Sequence, residues 1–232
     1  MLRRDPFNEI KMSKNKSSNI PFKKHEVEEY ERKRYRGIDQ RIVHGRERKI
    51  LRKILRIIGG SNLRVLDIPC GYGRFSKLLL DKDIFLVGSD LSFFMVKRAK
   101  EKSFDPNGSL GVVADAKLGL PFKKDVFDII LCMRFFHHVH EEEERESILK
   151  EFSWVTAEWV ILSYYQMNLL HFIQRILRRT VKKSRTRIKM ISRRELFQEI
   201  KASGFRVVKI FPLFRGIHAH HIALLEKVKT LS

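Results

Sequence analysis

Three carboxylates stand at the ends of successive runs of β-forming residues: Asp67 in VLDIPCGYGRFS, Asp90 in LVGSDLS and Asp115 in VVADAKLGLPF. Between the first two lie Gly71 and Gly73, where the absence of a Cβ lets the backbone approach a ligand closely. A carboxylate closing the second strand can accept both hydroxyls of a ribose, so Asp90 points to a nucleoside. A dinucleotide loop places its glycines straight after the strand, so that pyrophosphate meets the helix N-terminus, and adds a third glycine for helix packing. Here Asp67 occupies the strand end and Ser76 the third-glycine position. An acid at that point repels pyrophosphate but suits a ligand with a cationic amino group, which points away from NAD.

A candidate base follows the fourth strand. His137 and His138, in FFHHV, are imidazoles able to take a proton near neutral pH; the alternative is that the pair caps or packs beneath the next helix. In HAHH, His218 and His220 would share one face of a strand, yet no acid or cysteine lies near them in sequence, and no metal site is expected. Cys70 and Cys132 show no CxxC or Cys/His spacing, which argues against a disulfide framework or a structural zinc.

The elements that must hold these residues alternate. Strands are expected at 63–68, 84–89, 110–114, 126–132 and 158–164, with helices at 73–82, 92–102 and 141–153 between them, the first beginning directly after the Gly-x-Gly. A basic helical stretch at 168–183, a helix at 192–203 and strands at 205–211 and 219–228 follow. Strands alternating with crossover helices make a doubly wound α/β sheet, mostly parallel; the short turn around Pro212–Gly216 makes the last strand antiparallel. Ahead of this domain, which spans 61–232, residues 1–24 read as a loosely ordered basic leader and 25–60 as a helical lid ending at Gly59-Gly60.

Taken in order, VLDIPCGYG, VGSDLS with MVKRA after it, VVADAKLGLPF and DVFDIILCMRFFHHV resemble the class I S-adenosylmethionine-dependent methyltransferases, of the methyltransferase type 11-like kind, over about residues 46–228. The resemblance implies a Rossmann-like seven-stranded fold, S-adenosylmethionine as cofactor and a methyl transfer. It also implies that Asp67 faces the methionine amino group, that Gly71 and Gly73 pass under the cofactor, that Asp90 binds the ribose and Leu91 packs on adenine. Asp115 and the Ala116 backbone would read the adenine edge, Met133 would line the methionine arm, and His137 and His138 would face the acceptor. Pro69 departs from the glycine usual there, removing one backbone donor and fixing φ near −65° while leaving both ligand-facing glycines.

Charge bears on the acceptor. The chain carries a formal +21, and from Trp159 to Arg194 it holds Lys and Arg with no acid at all. Within that stretch Leu169, Leu170, Ile173, Ile176, Leu177 and Val181 recur at helical spacing, with Arg175, Arg178, Arg179, Lys182 and Lys183 filling the remainder. An insertion at about 168–187 of this kind suits an anionic membrane surface. The expected acceptor is therefore a small or lipid-linked molecule, methylated at oxygen, nitrogen or carbon. The alternative is tRNA or another RNA, since FFHHV also resembles wobble-uridine tRNA modifiers; a non-catalytic nucleotide-binding protein is a third reading. With no signal-peptide core and no long apolar run, a cytoplasmic protein is expected, peripheral at the inner membrane surface if the insertion binds lipid.

Overall fold

The computed structural model describes residues 23–34, 37–80, 84–103, 109–166, 189–214 and 219–229. Helices α1 (Lys24–Arg34) and α2 (Ile38–Ile58) precede the alternating part: β1 (Arg64–Asp67), α3 (Ser76–Leu80), β2 (Phe85–Asp90), α4 (Phe93–Ser103), β3 (Ser109–Val113), β4 (Phe127–Cys132), α5 (Glu142–Val155), β5 (Thr156–Tyr165), α6 (Arg193–Ala202), β6 (Phe205–Pro212) and β7 (His220–Lys227). Residues 1–22 of the leader, the segment 168–187 expected to be a basic helical insertion, and His218 lie outside the described residues.

The seven strands form one sheet in the order β3-β2-β1-β4-β5-β7-β6. Only β7 runs against its neighbours, pairing antiparallel with both β5 and β6. This is the doubly wound, mostly parallel α/β fold that the alternation of elements requires. The order reverses direction between β1 and β4, and in such sheets ligands bind beyond the carboxyl ends of the strands at that switch point.

Strand residues alternate between two cores because successive side chains leave opposite faces of the pleat. Leu66, Ile130 and Cys132 join the core packed on α5 and α6, with Ile148, Leu149, Phe152, Leu196 and Ile200. Val65, Ile129 and Leu131 join the core packed on α2 and α3, with Ile50, Leu51, Ile54, Leu78 and Leu79. The apolar stripe of α2 is thus a core element, and Gly59, at φ +67°, closes that helix where a side chain would be strained.

One correction concerns the turn after β1. Residues 70–75 form a turn closed by Gly73 N–H donating to Cys70 O (3.1 Å) and Ser76 N–H to Gly73 O (3.2 Å), and α3 starts only at Ser76. Gly73 has φ +77°, and a Cβ there would stand 2.9 Å from the Ala99 Cα of α4. Close packing of the loop on α4 therefore needs glycine at 73.

A buried ion pair joins the helices on the far face. Arg145 of α5 and Glu199 of α6 are 1% and 0% exposed, and the Arg145 Nε–H donates to both Glu199 oxygens at 3.0 and 3.1 Å. Removing one partner of such a pair strands a charge in the core, at about 3–5 kcal/mol. Glu199→Ala should lose that much in urea unfolding at pH 7, while Arg145→Met with Glu199→Leu should recover most of it.

Candidate functional site

The site lies where β1, β2, β3 and β4 end. Asp67 is the last residue of β1, is 2% exposed, and pairs in register with Gly88 on one side and Leu131 on the other. The Ile68–Pro69 peptide is cis, and Cys70 N–H then donates to Ser89 O at 2.8 Å, tying the loop to β2. The next donor, Gly71 N–H, points at Asp90 Oδ2 (3.0 Å), and Asp90 Oδ1 accepts from Ser92 N–H (2.9 Å). Pro69 therefore leaves the two donors that shape this loop in place. Gly71 has φ +52°, and a Cβ on it would meet no atom within 4 Å. Space lies open above the loop there.

Burial sets the charge of these acids. It pushes the Asp67 carboxyl up to about 8, with the Arg74 charge opposing the rise and Asp90 adding to it. Asp90 is raised as well, by burial, against the backbone N–H groups of Ser92, Gly71 and Leu91. A buried carboxyl group whose rise is reinforced by a second acid favours a cationic ligand group, which would restore the ionised form of Asp67. The donor set thus fits a ligand with an ammonium at one end and ribose hydroxyls at the other. Cys70 and Cys132 are buried, with thiols pushed up, and are no nucleophiles.

The remaining expected residues divide. The Asp115 segment is tied to Asp90 through Ala114 N–H donating to Asp90 O (3.1 Å), while Asp115 Oδ1 accepts from Lys117 N–H (2.9 Å). Leu91 is 36% exposed beside Asp90, available to a flat ligand. Ala116 and Met133 are buried and join the two apolar cores. His137 and His138 lie in a 3-10 turn, Phe136–His138, ahead of α5, whose N-cap is Glu141; they do not cap that helix. His137 is buried and His138 exposed.

Sequence reasoning missed what surrounds them. The His137 ring lies 4.7 Å from Tyr165, which stacks on His220 at 5.0 Å and 6°. Next comes Glu47 of α2, fully buried, with Arg134 Nε at 2.7 Å, an Arg74 guanidinium nitrogen at 3.0 Å and His220 Nδ1 at 3.7 Å. Arg134 sits at φ +58°, a left-handed conformation that costs a non-glycine residue about 1–3 kcal/mol. Its N–H donates to Ser163 Oγ at 2.6 Å, and its side chain to Glu47. One signal was present: Glu47 falls three and four residues before Ile50 and Leu51, on the apolar stripe of α2.

Residues 65–158 match the family model described as a methyltransferase domain. A protein of Methanocaldococcus jannaschii, described as uncharacterized, is 36% identical over 76 residues, 33% of this chain and 30% of that protein. The tRNA (carboxymethyluridine(34)-5-O)-methyltransferase of Mus musculus is 31% identical over 87 residues, 38% of this chain and 12% of that protein. The matched part is thus less than a third of either relative. Among solved structures, magnesium protoporphyrin IX methyltransferase from Synechocystis with bound SAH superposes with TM-score 0.68 at 17% identity, covering 82% of this chain and 88% of that one. The PH0226 protein from Pyrococcus horikoshii gives TM-score 0.66 at 21% identity, covering 83% and 92%. Residues 65–158 are thus similar to a methyltransferase domain, and the fold is that of the class I S-adenosylmethionine-dependent methyltransferases. No described helix is long and apolar enough to cross a membrane.

Glu47 carries a testable consequence. Burial alone would raise its carboxyl, but His44, Arg74, Arg134 and His220 outweigh that and hold it at about 2, below its ordinary 4.5. A depressed acid stabilises the fold above its unfolded pKa, and that stability drains away as pH falls from about 4.5 towards 2. The difference amounts to about 3 kcal/mol. Glu47→Gln should lose stability of this order at pH 7 in urea unfolding, and should show a flatter decline between pH 4.5 and 2.5 than the wild type.

Proposed function

We propose that the chain moves the methyl group of S-adenosylmethionine onto a proton-bearing oxygen or nitrogen, with Asp67 and Asp90 holding the cofactor and His137 or His138 taking the acceptor's proton. The observation that carries this reading is buried Asp67 and partly buried Asp90 on either side of Gly71, with open space above that glycine. When bound, the cofactor supplies an electrophilic methyl group on a sulfonium. Asp67 takes the ammonium end and gives up its own proton in doing so. Asp90, held by Gly71 and Ser92 N–H groups, keeps its remaining lone pairs for ribose hydroxyls. Leu91 offers an apolar surface to adenine, and the Asp115–Ala116 backbone lies beside it. An in-line displacement gains chiefly from orientation and exclusion of water, and the ring wall of buried His137 and His220 with half-buried Tyr165 between them supports both on the acceptor side.

For the acceptor, a small or lipid-linked molecule rests on the basic segment 168–187, including Arg175, Arg178, Arg179, Lys182 and Lys183, which lies outside the described residues. A nucleoside in RNA is favoured instead by the likeness over 87 residues to a tRNA methyltransferase. Transfer of label from methyl-labelled cofactor into total RNA or into a lipid extract separates the two.

Two outcomes test the site. Since free Asp67 titrates near 8 and a free α-amino group near 7.7–8.0, the charged pair forms best where the acid is ionised and the amine still protonated. Calorimetry should give an affinity for S-adenosylmethionine that rises from pH 6, peaks near pH 8 and falls above it; Asp67→Asn should erase the rising limb. In the label assay, whichever histidine is the base should lose about 10²- to 10⁴-fold in rate on replacement by Ala, with cofactor affinity unchanged. Full turnover by both variants would leave the pair a structural one.

A further inference from the structure

Helix α2 has two chemically opposed faces. Ile50, Leu51, Ile54 and Leu55 are buried against the sheet, while Lys49, Arg52, Lys53 and Arg56 are exposed on the other side. These four cations fall at i, i+3, i+4 and i+7, one stripe about 10.5 Å long at 1.5 Å per residue. With Ile57 they line an open depression of about 680 Å3. Among the described residues none of the four makes an ion pair. The exposed acid of α2, Asp39, is near the other end of the helix, and Glu47 is buried and committed to Arg74 and Arg134.

The fold does not account for the stripe. Like charges three and four residues apart weaken a helix, and the helix dipole favours cations only within the last turn, which holds Arg56. Four unopposed cations along one ridge are, however, what a phosphodiester chain requires. A stacked strand carries a charge every 3.4 Å, so about three phosphates fit the stripe.

We propose that this face of α2 docks RNA and that the acceptor methylated by the enzyme is a nucleoside within that RNA; the second part rests on the methyltransferase reading above. The stripe begins two residues beyond Glu47, whose carboxylate meets Arg134 just past the end of β4, so a strand lying on it leads towards the acceptor wall. A base must leave its stack to reach such a pocket, and folded RNA offers unpaired loops where duplex DNA does not. The concave stripe carries no aromatic residue to insert into lipid, which sets it apart from a membrane-binding face.

The test compares the wild type with Lys49→Gln, Arg52→Gln, Lys53→Gln and Arg56→Gln combined, and with a control of equal charge in which exposed Lys97, Lys123, Lys150 and Lys201 become Gln. The probes are a total tRNA pool and vesicles containing anionic phosphatidylglycerol. The wild type should retard tRNA on a gel. The stripe variant should bind about 10- to 100-fold more weakly at 0.1 M salt, with the slope of log affinity against log salt reduced by about 3. The control should change both far less. Equal losses in the two variants, no tRNA binding by the wild type, or binding to vesicles in place of tRNA through the same cations would each overturn the proposal. Calorimetry with S-adenosylmethionine on the same samples keeps the two readings apart: the stripe variant should bind the cofactor as the wild type does, and failure of both proteins to bind it counts against the methyltransferase reading alone.

Discussion

A carboxylate taken wholly out of water must be given back its hydrogen bonds and its countercharge. Glu47 is such a group, and the region where α2 meets the ends of β4 and β5 is arranged around meeting its need. Arg134 comes from the end of β4, Arg74 from the loop after β1, His220 from the start of β7, and Glu47 itself from α2. Four pieces of chain that share no local sequence converge on one anion. Without it the two guanidiniums would repel each other beside the loop after β1, and α2 would keep the hydrogen bond from Arg46 Nε to Leu213 O (3.1 Å) but lose its charged tie to the ends of β1 and β4. The apolar stripe of α2 fixes which face points inward; Glu47 fixes how far along the sheet the helix sits.

The cofactor side is built on the opposite logic. Buried Asp67 and partly buried Asp90 lie near one another with too little countercharge, since Arg74 is already shared with Glu47. The protein therefore holds an acid pair whose charge is incomplete without a cation. One arginine between two carboxylate systems links the halves of the site: Arg74 follows Gly73 directly, so the turn that shapes the cofactor loop also positions the cation that Glu47 requires.

The sequence made one half of this far more legible than the other. The strands could be read because each buried strand is a short apolar run ending in a polar residue, and the parallel order follows from the intervening helices. Asp67, Gly71, Gly73 and Asp90 were readable because a strand end, a tight turn and the next strand end are close in sequence as well as in space. The acceptor wall was not. Tyr165, His220, Arg134 and Glu47 come together only through the sheet order, in which β7 is inserted between β5 and β6. Met133, two residues past the Leu131 that pairs with Asp67, joins the same α2-facing core as Leu131, a placement that follows from the register and not from its neighbours in sequence.

Arg134 shows how the halves constrain each other. A left-handed backbone at a non-glycine residue persists only where its surroundings over-determine it, and here Ser163 holds the amide while Glu47 holds the guanidinium. Glycine at 134 would remove the backbone cost, but it would also remove a partner of Glu47. Arginine at 134 supplies the side chain that Glu47 requires at the point where the backbone turns. The chain leaving β4 is thereby aimed into the 3-10 turn that carries His137 and His138, so the placement of the imidazole pair depends on a carboxylate contributed by α2. Through 3.6-residue periodicity the same helix turns Lys49, Arg52, Lys53 and Arg56 to solvent. Its inward face carries Glu47 to Arg134 and His220, its outward face carries four cations to solvent, and neither can shift without the other.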